Sequence, residues 1–389
     1  MKDGRPLRRC GGCGIKTYCS AECQKTHWVE GGHKDECKQS RKADNPDDVY
    51  TNLVNRLKAC PKNAHQMVRI LSEIETLSIN EENRYNRKKF ASLEIVIPLL
   101  HAARFHSSKE LLIGHFFTVI GHLSQNDEIH AALVREGVLD LILAGMKTHA
   151  DDSSIVGQAL FAVAFLIIRY EKEVLELFHA GGICEAVLAA CATHYKRVEV
   201  AAWGCKAMVG LSKHVEAKKT LREGLGPGLV LTALRSFPRD RHVSLYGLQA
   251  LANLASDVET QAAAVIEEQG SEYEKELLTK GMDFVKGNQE ICALVGQDNQ
   301  ACEVVMTVIT ANQEIESVIK FGCNVIGFLS DVPANKTKLL SLKCKPLLSK
   351  LFEEGIAKGM TKPYEEALGA ALLKIDNDLL AQRSSLRSE

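Results

Sequence analysis

Apolar residues recur along most of the chain at helical spacing, with no sustained alternation of the kind a half-buried strand shows. One arrangement returns six times: two adjacent apolar or small residues, a third apolar residue three positions on and a fourth another three on. It reads Ile70, Leu71, Ile74, Leu77; Phe116, Phe117, Ile120, Leu123; Leu160, Phe161, Ala164, Ile167; Gly204, Cys205, Met208, Leu211; Gly247, Leu248, Leu251, Leu254; and Gly322, Cys323, Ile326, Leu329. The last members are spaced by 46, 44, 44, 43 and then 75 residues, which predicts that one or two units between residues 255 and 320 have drifted. A second apolar run precedes each of these helices, often opened by glycine, as in Gly137-Val-Leu-Asp-Leu-Ile-Leu143 and Gly182-Ile-Cys-Glu-Ala-Val-Leu188. Leu93–Leu100 holds the same place one unit earlier.

Self-similarity at this period, with two or three helices per unit, is the mark of a solenoid in which stacked neighbours bury what one unit cannot bury alone. The pattern resembles armadillo repeats, in which a short helix leads into two longer ones and the last lines a concave surface. The resemblance implies an all-α, armadillo/HEAT-like right-handed superhelix of roughly seven to eight repeats, preceded by a small N-terminal module. The expected division is a cysteine-rich module at residues 1–42, a repeat domain at 45–380 and a polar tail at 381–389. Gly224-Leu-Gly-Pro-Gly228 lacks the Lys-Ser/Thr that a phosphate-binding loop places next, and is read as a turn between helices.

Composition adds little to this picture. Of 389 residues 46% are hydrophobic and 25% charged, with 48 Lys and Arg against 49 Asp and Glu. The near-neutral balance argues against a dedicated nucleic-acid binder. Charge is uneven, however: residues 1–43 hold ten Lys/Arg and five Asp/Glu, whereas residues 44–389 hold 38 and 44.

Cysteine is divided in the same way. Cys10, Cys13, Cys19, Cys23 and Cys37 cluster at the N-terminus, and the other eight are scattered from Cys60 to Cys344 in apolar helical patterns, where they read as small core residues. The opening Met1-Lys-Asp-Gly-Arg-Pro shows no apolar signal region, so an intracellular protein of cytoplasm or nucleus is expected, with clustered cysteines as metal ligands in a reducing compartment. Ile155–Ile168 is interrupted by Gly157 and Gln158 and is shorter than the roughly 20 residues a membrane span needs, so it is read as a buried helix.

The strongest motif is Cys10-x2-Cys13-x5-Cys19-x3-Cys23-x9-His33-x3-Cys37. Zinc takes four thiolate or imidazole ligands, and three-residue separations such as Cys19/Cys23 and His33/Cys37 set two ligands one helical turn apart. The block Tyr18-Cys-Ser-Ala-Glu-Cys-Gln-Lys-Thr-His-Trp28 with His33-Lys-Asp-Glu-Cys37 resembles a MYND-type finger, in which eight ligands hold two zinc ions in interleaved order. That resemblance implies one complete site, Cys10, Cys13, His33 and Cys37, and half of another, Cys19 and Cys23, since residues 1–9 hold no Cys or His. Three explanations compete: a true N-terminus further upstream, which is preferred because the rest of the hallmark is intact, the loss of one site, or regrouping of the four early cysteines around one ion. Gly31-Gly32 lengthens the usual interval before His33, and His27 is either a substitute ligand or a surface residue.

MYND fingers are also similar in docking proline-containing segments, which implies Gln24 as a backbone hydrogen-bonder and Trp28 as a platform for proline rings. The competing role for Trp28 is packing over the zinc knuckle. On the repeats, the positions sharing the outward face of each last helix are His115/Thr118/His122, Ala159/Ala162/Leu166, Trp203/Lys206/Gly210, Tyr246/Gln249/Asn253 and Phe321/Asn324/Phe328. Trp203, Tyr246, Asn253 and Phe321 are the groove candidates. Asn253 matches the armadillo asparagine that grips a peptide backbone, but no ladder of such residues exists, which disfavours a nuclear-import receptor.

These readings converge on a non-enzymatic, monomeric scaffold or adaptor for protein partners, with no nucleic acid or membrane. Its finger docks proline-containing segments and its armadillo groove docks a second partner. The alternatives are a client-binding co-chaperone of armadillo type and a degenerate relative of the lysine methyltransferases that join MYND to a SET domain. The latter would require a β-rich domain with an Asn-His cofactor motif, and no such motif is found.

Overall fold

The computed structural model describes residues 8–9, 17–18, 21–29, 46–59, 62, 64–79, 83–169, 171–256 and 300–375. They fall in two compact units, Met1–Glu136 and Gly137–Glu389.

The first unit opens with a two-residue antiparallel pair, β1 (Arg8–Arg9) and β2 (Thr17–Tyr18), Arg8 facing Tyr18 and Arg9 facing Thr17, followed by helix α1 (Ala21–Val29). Six further helices follow: α2 (Pro46–Lys58), α3 (Ala64–Ile79), α4 (Asn83–Ser92), α5 (Val96–Phe105), α6 (Glu110–Leu123) and α7 (Asp127–Arg135). α3 stacks on α6, closing Met67, Ile70, Leu71 and Ile74 together with Phe116, Phe117 and Ile120 away from water. The last carbonyls of α3 have no partner within the helix. α4 supplies two: Asn86 Nδ2 donates to the Leu77 carbonyl at 2.7 Å and Arg87 Nη1 to that of Ser78 at 3.1 Å.

The second unit comprises α8 (Val138–Thr148), α9 (Ser153–Leu166), α10 (Lys172–Ala180), α11 (Ile183–Thr193), α12 (Val198–Leu211), α13 (Val215–Glu223), α14 (Gly226–Ser236), α15 (Arg241–Ala255), α16 (Gln300–Ala311), α17 (Glu316–Leu329), α18 (Pro333–Ser341), α19 (Cys344–Lys358) and α20 (Lys362–Ile375). A short helix, a middle helix and a long third helix alternate, and the third helices α9, α12, α15, α17 and α20 stack each on the next. Asp152 and Asp240 cap α9 and α15 by accepting two backbone N–H bonds each. A left-handed residue stands one position before four of the middle helices, and two positions before α5. Glycine holds it at Gly137 (φ 74°) and Gly182 (φ 84°), whereas Glu94, Leu225 and Lys343 hold it in their own repeats. Gly224 and Leu225 form the turn between the short and middle helices, and Gly226, Pro227 and Gly228, which the sequence also indicated as turn, are the first residues of α14.

Middle and third helices meet at a small residue. A Cβ added at Gly204 would strike Cys191 Sγ; one at Gly247 would lie 2.7 Å from Leu234 Cδ2, and one at Gly322 2.6 Å from Ile309 Cδ1. The glycines let a middle-helix side chain lie directly on the third-helix backbone.

Two expectations need correction. The 75-residue interval does not hide a drifted repeat: α15 stacks directly on α17, a Cβ at Gly322 would lie 3.6 Å from Leu248 Cδ1, and Asn312 Nδ2 donates to the Pro238 carbonyl at 2.9 Å. Residues 257–299 lie outside the described residues. In α9 the predicted inward set was one residue out of register. Phe161 is half-buried on the outward face, and the buried set equivalent to Gly204, Cys205, Met208 and Leu211 is Ala159, Leu160, Val163 and Leu166.

Gly204→Val forces a branched side chain into the Cys191 contact and is expected to cost about 1–3 kcal/mol, the usual penalty for overfilling a core. Gly228→Ala, where an added Cβ meets nothing within 4 Å, gains up to about 1 kcal/mol from helix propensity. Guanidinium unfolding followed by circular dichroism separates the two.

Candidate functional site

Three third helices of the second unit carry an aromatic cluster on their outward face. Helical spacing places Phe161 and Phe165 one turn apart on α9, Trp203 and Lys206 three apart on α12, and His242 and Tyr246 one turn apart on α15. The Phe161 and Trp203 rings meet edge to face at 4.8 Å, an arrangement in which positive ring edges contact negative ring faces. Phe165 is 6.0 Å from Trp203, which in turn lies 6.2 Å from both His242 and Tyr246.

The Lys206 ammonium sits among these rings. Its Nζ is 3.8 Å from the centre of the Phe165 ring, 5.1 Å from that of Tyr246 and 5.2 Å from that of Trp203, within reach of cation–π attraction to all three. Loss of water around a half-buried ammonium disfavours its charged form, and burial lowers Lys206 to about 8. Burial likewise raises Tyr246, an effect partly offset by Arg241.

The groove candidates thus divide. Trp203 and Tyr246 belong to one cluster. Phe321 stands on α17, half-buried, with Lys320 Nζ 5.7 Å from its ring centre, and among the described residues no ring contact joins it to Tyr246. Asn253 is engaged internally: its Nδ2 donates to Ser212 Oγ at 3.2 Å and to the Val209 carbonyl at 3.3 Å, tying α15 to the end of α12. Of the α9 trio expected to face outward, Ala159, Ala162 and Leu166 are fully buried, and the positions equivalent to Trp203, Lys206 and Gly210 are Gln158, Phe161 and Phe165. The helix caps could have revealed this register, because Asp152 and Asp240 start α9 and α15 at the same place relative to the face. In the first unit His115 faces Glu75 at 3.7 Å, and His122 is lowered to about 4 by burial, reinforced by the Arg87 charge.

At the N-terminus, Gln24 and Trp28 are one turn apart on α1 and both half-buried, as is His27, with Lys25 and Thr26 exposed beside them. Cys23 is in the same helix. Cys10, Cys13, Cys19, His33 and Cys37 lie outside the described residues. The donor set itself, five thiols and an imidazole, has the soft-to-borderline chemistry that zinc selects. The scattered cysteines differ: Cys184, Cys191, Cys205, Cys302, Cys323 and Cys344 are all buried and free. Burial pushes Cys184, Cys191 and Cys344 up to about 12 and Cys302 to about 11, and raises Cys205 and Cys323 as well, so these thiols stay protonated and act as small apolar residues. Cys60 and Cys292 lie outside the described residues. No group of three or more His, Cys, Asp or Glu suited to a metal occurs among the described residues, and none of the described single helices is long and apolar enough to cross a membrane.

Comparison with known proteins agrees with both parts of this description. Residues 2–37 match the family model of the MYND finger. The chain is also similar, with a TM-score of 0.61 and 16% identity over 89% of its length, to a solved structure of beta-catenin from work on a conserved phosphorylation switch that controls the interaction between cadherin and beta-catenin. The chain covers 59% of that protein chain. At this identity the likeness shows the fold: the protein joins a MYND zinc finger to armadillo-like helical repeats.

The Lys206 amine should titrate near pH 8, and Trp203→Ala, by admitting water to the cluster, should move it upward toward the ordinary lysine range. Carbon-13 NMR of reductively methylated protein reads both. Asn253→Ala should cost about 1 kcal/mol of stability through its two lost hydrogen bonds, measured as a lower denaturant midpoint.

Proposed function

We propose that the protein is a non-enzymatic adaptor whose zinc finger docks a proline-containing segment and whose repeats dock a second protein partner along the outward face of the third helices. The MYND finger and the armadillo-like fold are both protein-interaction modules, which establishes the scaffold role in coarse form. The observation that carries the finer reading is the aromatic face. Phe161, Phe165, Trp203 and Tyr246 all lie half-buried on an outward surface when the third helices have an ample inward face for apolar side chains. Trp and Tyr concentrated on one surface supply large contact area with little loss of side-chain freedom, the usual make-up of interaction hot spots.

In the finger, the donor chemistry fits zinc, with Cys10, Cys13, His33 and Cys37 as a complete ligand set and Cys19 and Cys23 as half of another. Bound metal would supply the folding energy of a module too small to stabilise itself by apolar burial. The residues facing a partner would be Gln24 and Trp28, whose shared face on α1 suits an extended segment: an amide for its backbone and an indole for its proline rings. The protein would act as a monomer in the cytoplasm or nucleus, where free thiols persist.

Trp28→Ala in the full chain is expected to abolish binding of a fluorescent proline-rich peptide while leaving the zinc content unchanged, because hot-spot aromatics carry about 2 kcal/mol or more and the indole is not a ligand. Cys13→Ala should remove both zinc and binding. Isothermal titration with elemental analysis on the same samples reads the result, and unchanged peptide affinity in zinc-loaded Trp28→Ala overturns the docking role. The same analysis of the unaltered chain should find one zinc retained against a mild chelator, the half-site having too few ligands for tight binding.

A further inference from the structure

We propose that the aromatic face of α9, α12 and α15 seats an acidic peptide segment, with the Lys206 ammonium holding one of its carboxylates between the rings of Phe165, Trp203 and Tyr246. This deepens the groove-docking reading above and rests on it.

Lys206 is the pivot because its surroundings leave its charge uncompensated by any anion. It has no hydrogen-bond or ion-pair partner among the described residues, although an ammonium carries three donors. Other lysines of the same structure are paired with carboxylates. Lys338 is 2.6 Å from Glu303 and Lys374 2.9 Å from Asp331, whereas Lys206 is surrounded by ring faces alone. Rings attract the cation but accept no conventional hydrogen bond, so its N–H groups point to whatever occupies the surface. Burial also lowers the amine to about 8, which leaves it mainly charged at neutral pH yet poorly hydrated. A poorly hydrated cation gains more from an incoming carboxylate than a solvated surface lysine does, since less water must be stripped from it.

Around the ring cluster, Lys196 and Arg197 lead into α12, and Arg239, Arg241 and His242 surround the start of α15. Against them stand Asp151 and Asp152 at the start of α9, Glu199, exposed one turn before Trp203, and Asp240; the carboxylates of Asp152 and Asp240 are each engaged by two backbone N–H groups. The charges at the helix starts are balanced, so the Lys206 ammonium itself selects the ligand, with aromatic walls for the apolar side chains that flank an acidic residue. A nucleic acid fits less well: affinity for a phosphate backbone comes from many cations placed along its track, and only one ammonium stands within the ring cluster.

The test uses the full chain and two fluorescein-labelled synthetic peptides, one alternating Glu with Leu and the other with Gln in place of each Glu. Anisotropy should show the Glu peptide binding tighter by about tenfold or more, with the advantage shrinking as salt is added, which is the scale of one charge-assisted contact. Lys206→Met, which keeps the volume of the stem but removes the charge, should erase that advantage without weakening the Gln peptide. Lys206→Arg should retain most of it, which guards against a merely structural loss. Equal binding of both peptides to the unaltered chain, or a Glu-peptide affinity unchanged in Lys206→Met, overturns the proposal. If the Gln peptide binds equally well and Trp203→Ala weakens it, groove docking stands and only the acidic ligand falls; if neither peptide binds, both fall. Tighter binding of labelled oligothymidylate than of the Glu peptide also overturns it, in favour of a nucleic acid.

Discussion

The second unit depends on the close contact between middle and third helices at a small residue. Where Gly204, Gly247 and Gly322 lie, a side chain from the preceding middle helix (Cys191, Leu234, Ile309) occupies the space a Cβ would take. Close approach excludes water and brings many weakly attractive atoms into contact. It also fixes the rotation of the third helix. With the glycine turned inward, the residue before it and the residue two after it are turned outward, at Trp203 and Lys206, at Tyr246 and Gln249, and at Phe321 and Asn324. The composition of the exposed face is thus governed by a packing contact on the other side of the same helix. In α9 alanine fills the equivalent place at Ala159, and the same rule sends Gln158 and Phe161 outward.

That rule explains what the amino-acid pattern disclosed and what it concealed. Helical periodicity and the repeat were legible because core positions such as Leu160, Met208 and Leu251 are apolar at fixed phase. The turns were legible where glycine marks the left-handed residue at Gly137 and Gly182, and less so where Leu225 or Lys343 takes it. The error in α9 arose from the outward aromatic face itself. Phe161 is a large apolar residue on the outward face, so pattern matching drew it into the core and displaced the whole helix by one position. An aromatic residue on an outward face and one in a core are identical to a periodicity argument, and only an independent anchor such as the Asp152 cap separates them. The long interval before α17 misled for another reason: a solenoid tolerates an insertion between adjacent repeats, because loop-closure cost grows slowly with loop length. Counting residues between helices does not count repeats.

Cysteine shows how one residue type serves two ends of the chain by different physics. In the repeats the thiols are buried, where the thiolate is destabilised by lack of water, and the nearby Cys191 further raises the cost of ionising Cys205. In the finger sequence, five thiols and an imidazole fall within 28 residues, and a bound cation would invert the preference by stabilising thiolate over thiol. Spacing along the chain was the informative signal there. The groove residues lack such a signature, since Phe165, Lys206 and Tyr246 come from different repeats and are united only by stacking.

The aromatic face also raises a question of cost. Half-exposed rings invite non-specific association, and a half-buried ammonium is expensive unless compensated. Here the two liabilities offset one another. The rings pack edge to face and side by side across three helices, which reduces the area each shows to water, and the Lys206 ammonium lies over the Phe165 ring while its charge gains from three ring faces. Because these contacts join side chains on separate stacked helices, the rings are held in place before any partner arrives, and little rotamer entropy remains to be lost on binding. A carboxylate entering such a site would meet a cation already positioned and partly stripped of water, and the proposed specificity of the face rests on the one charge its rings cannot neutralise.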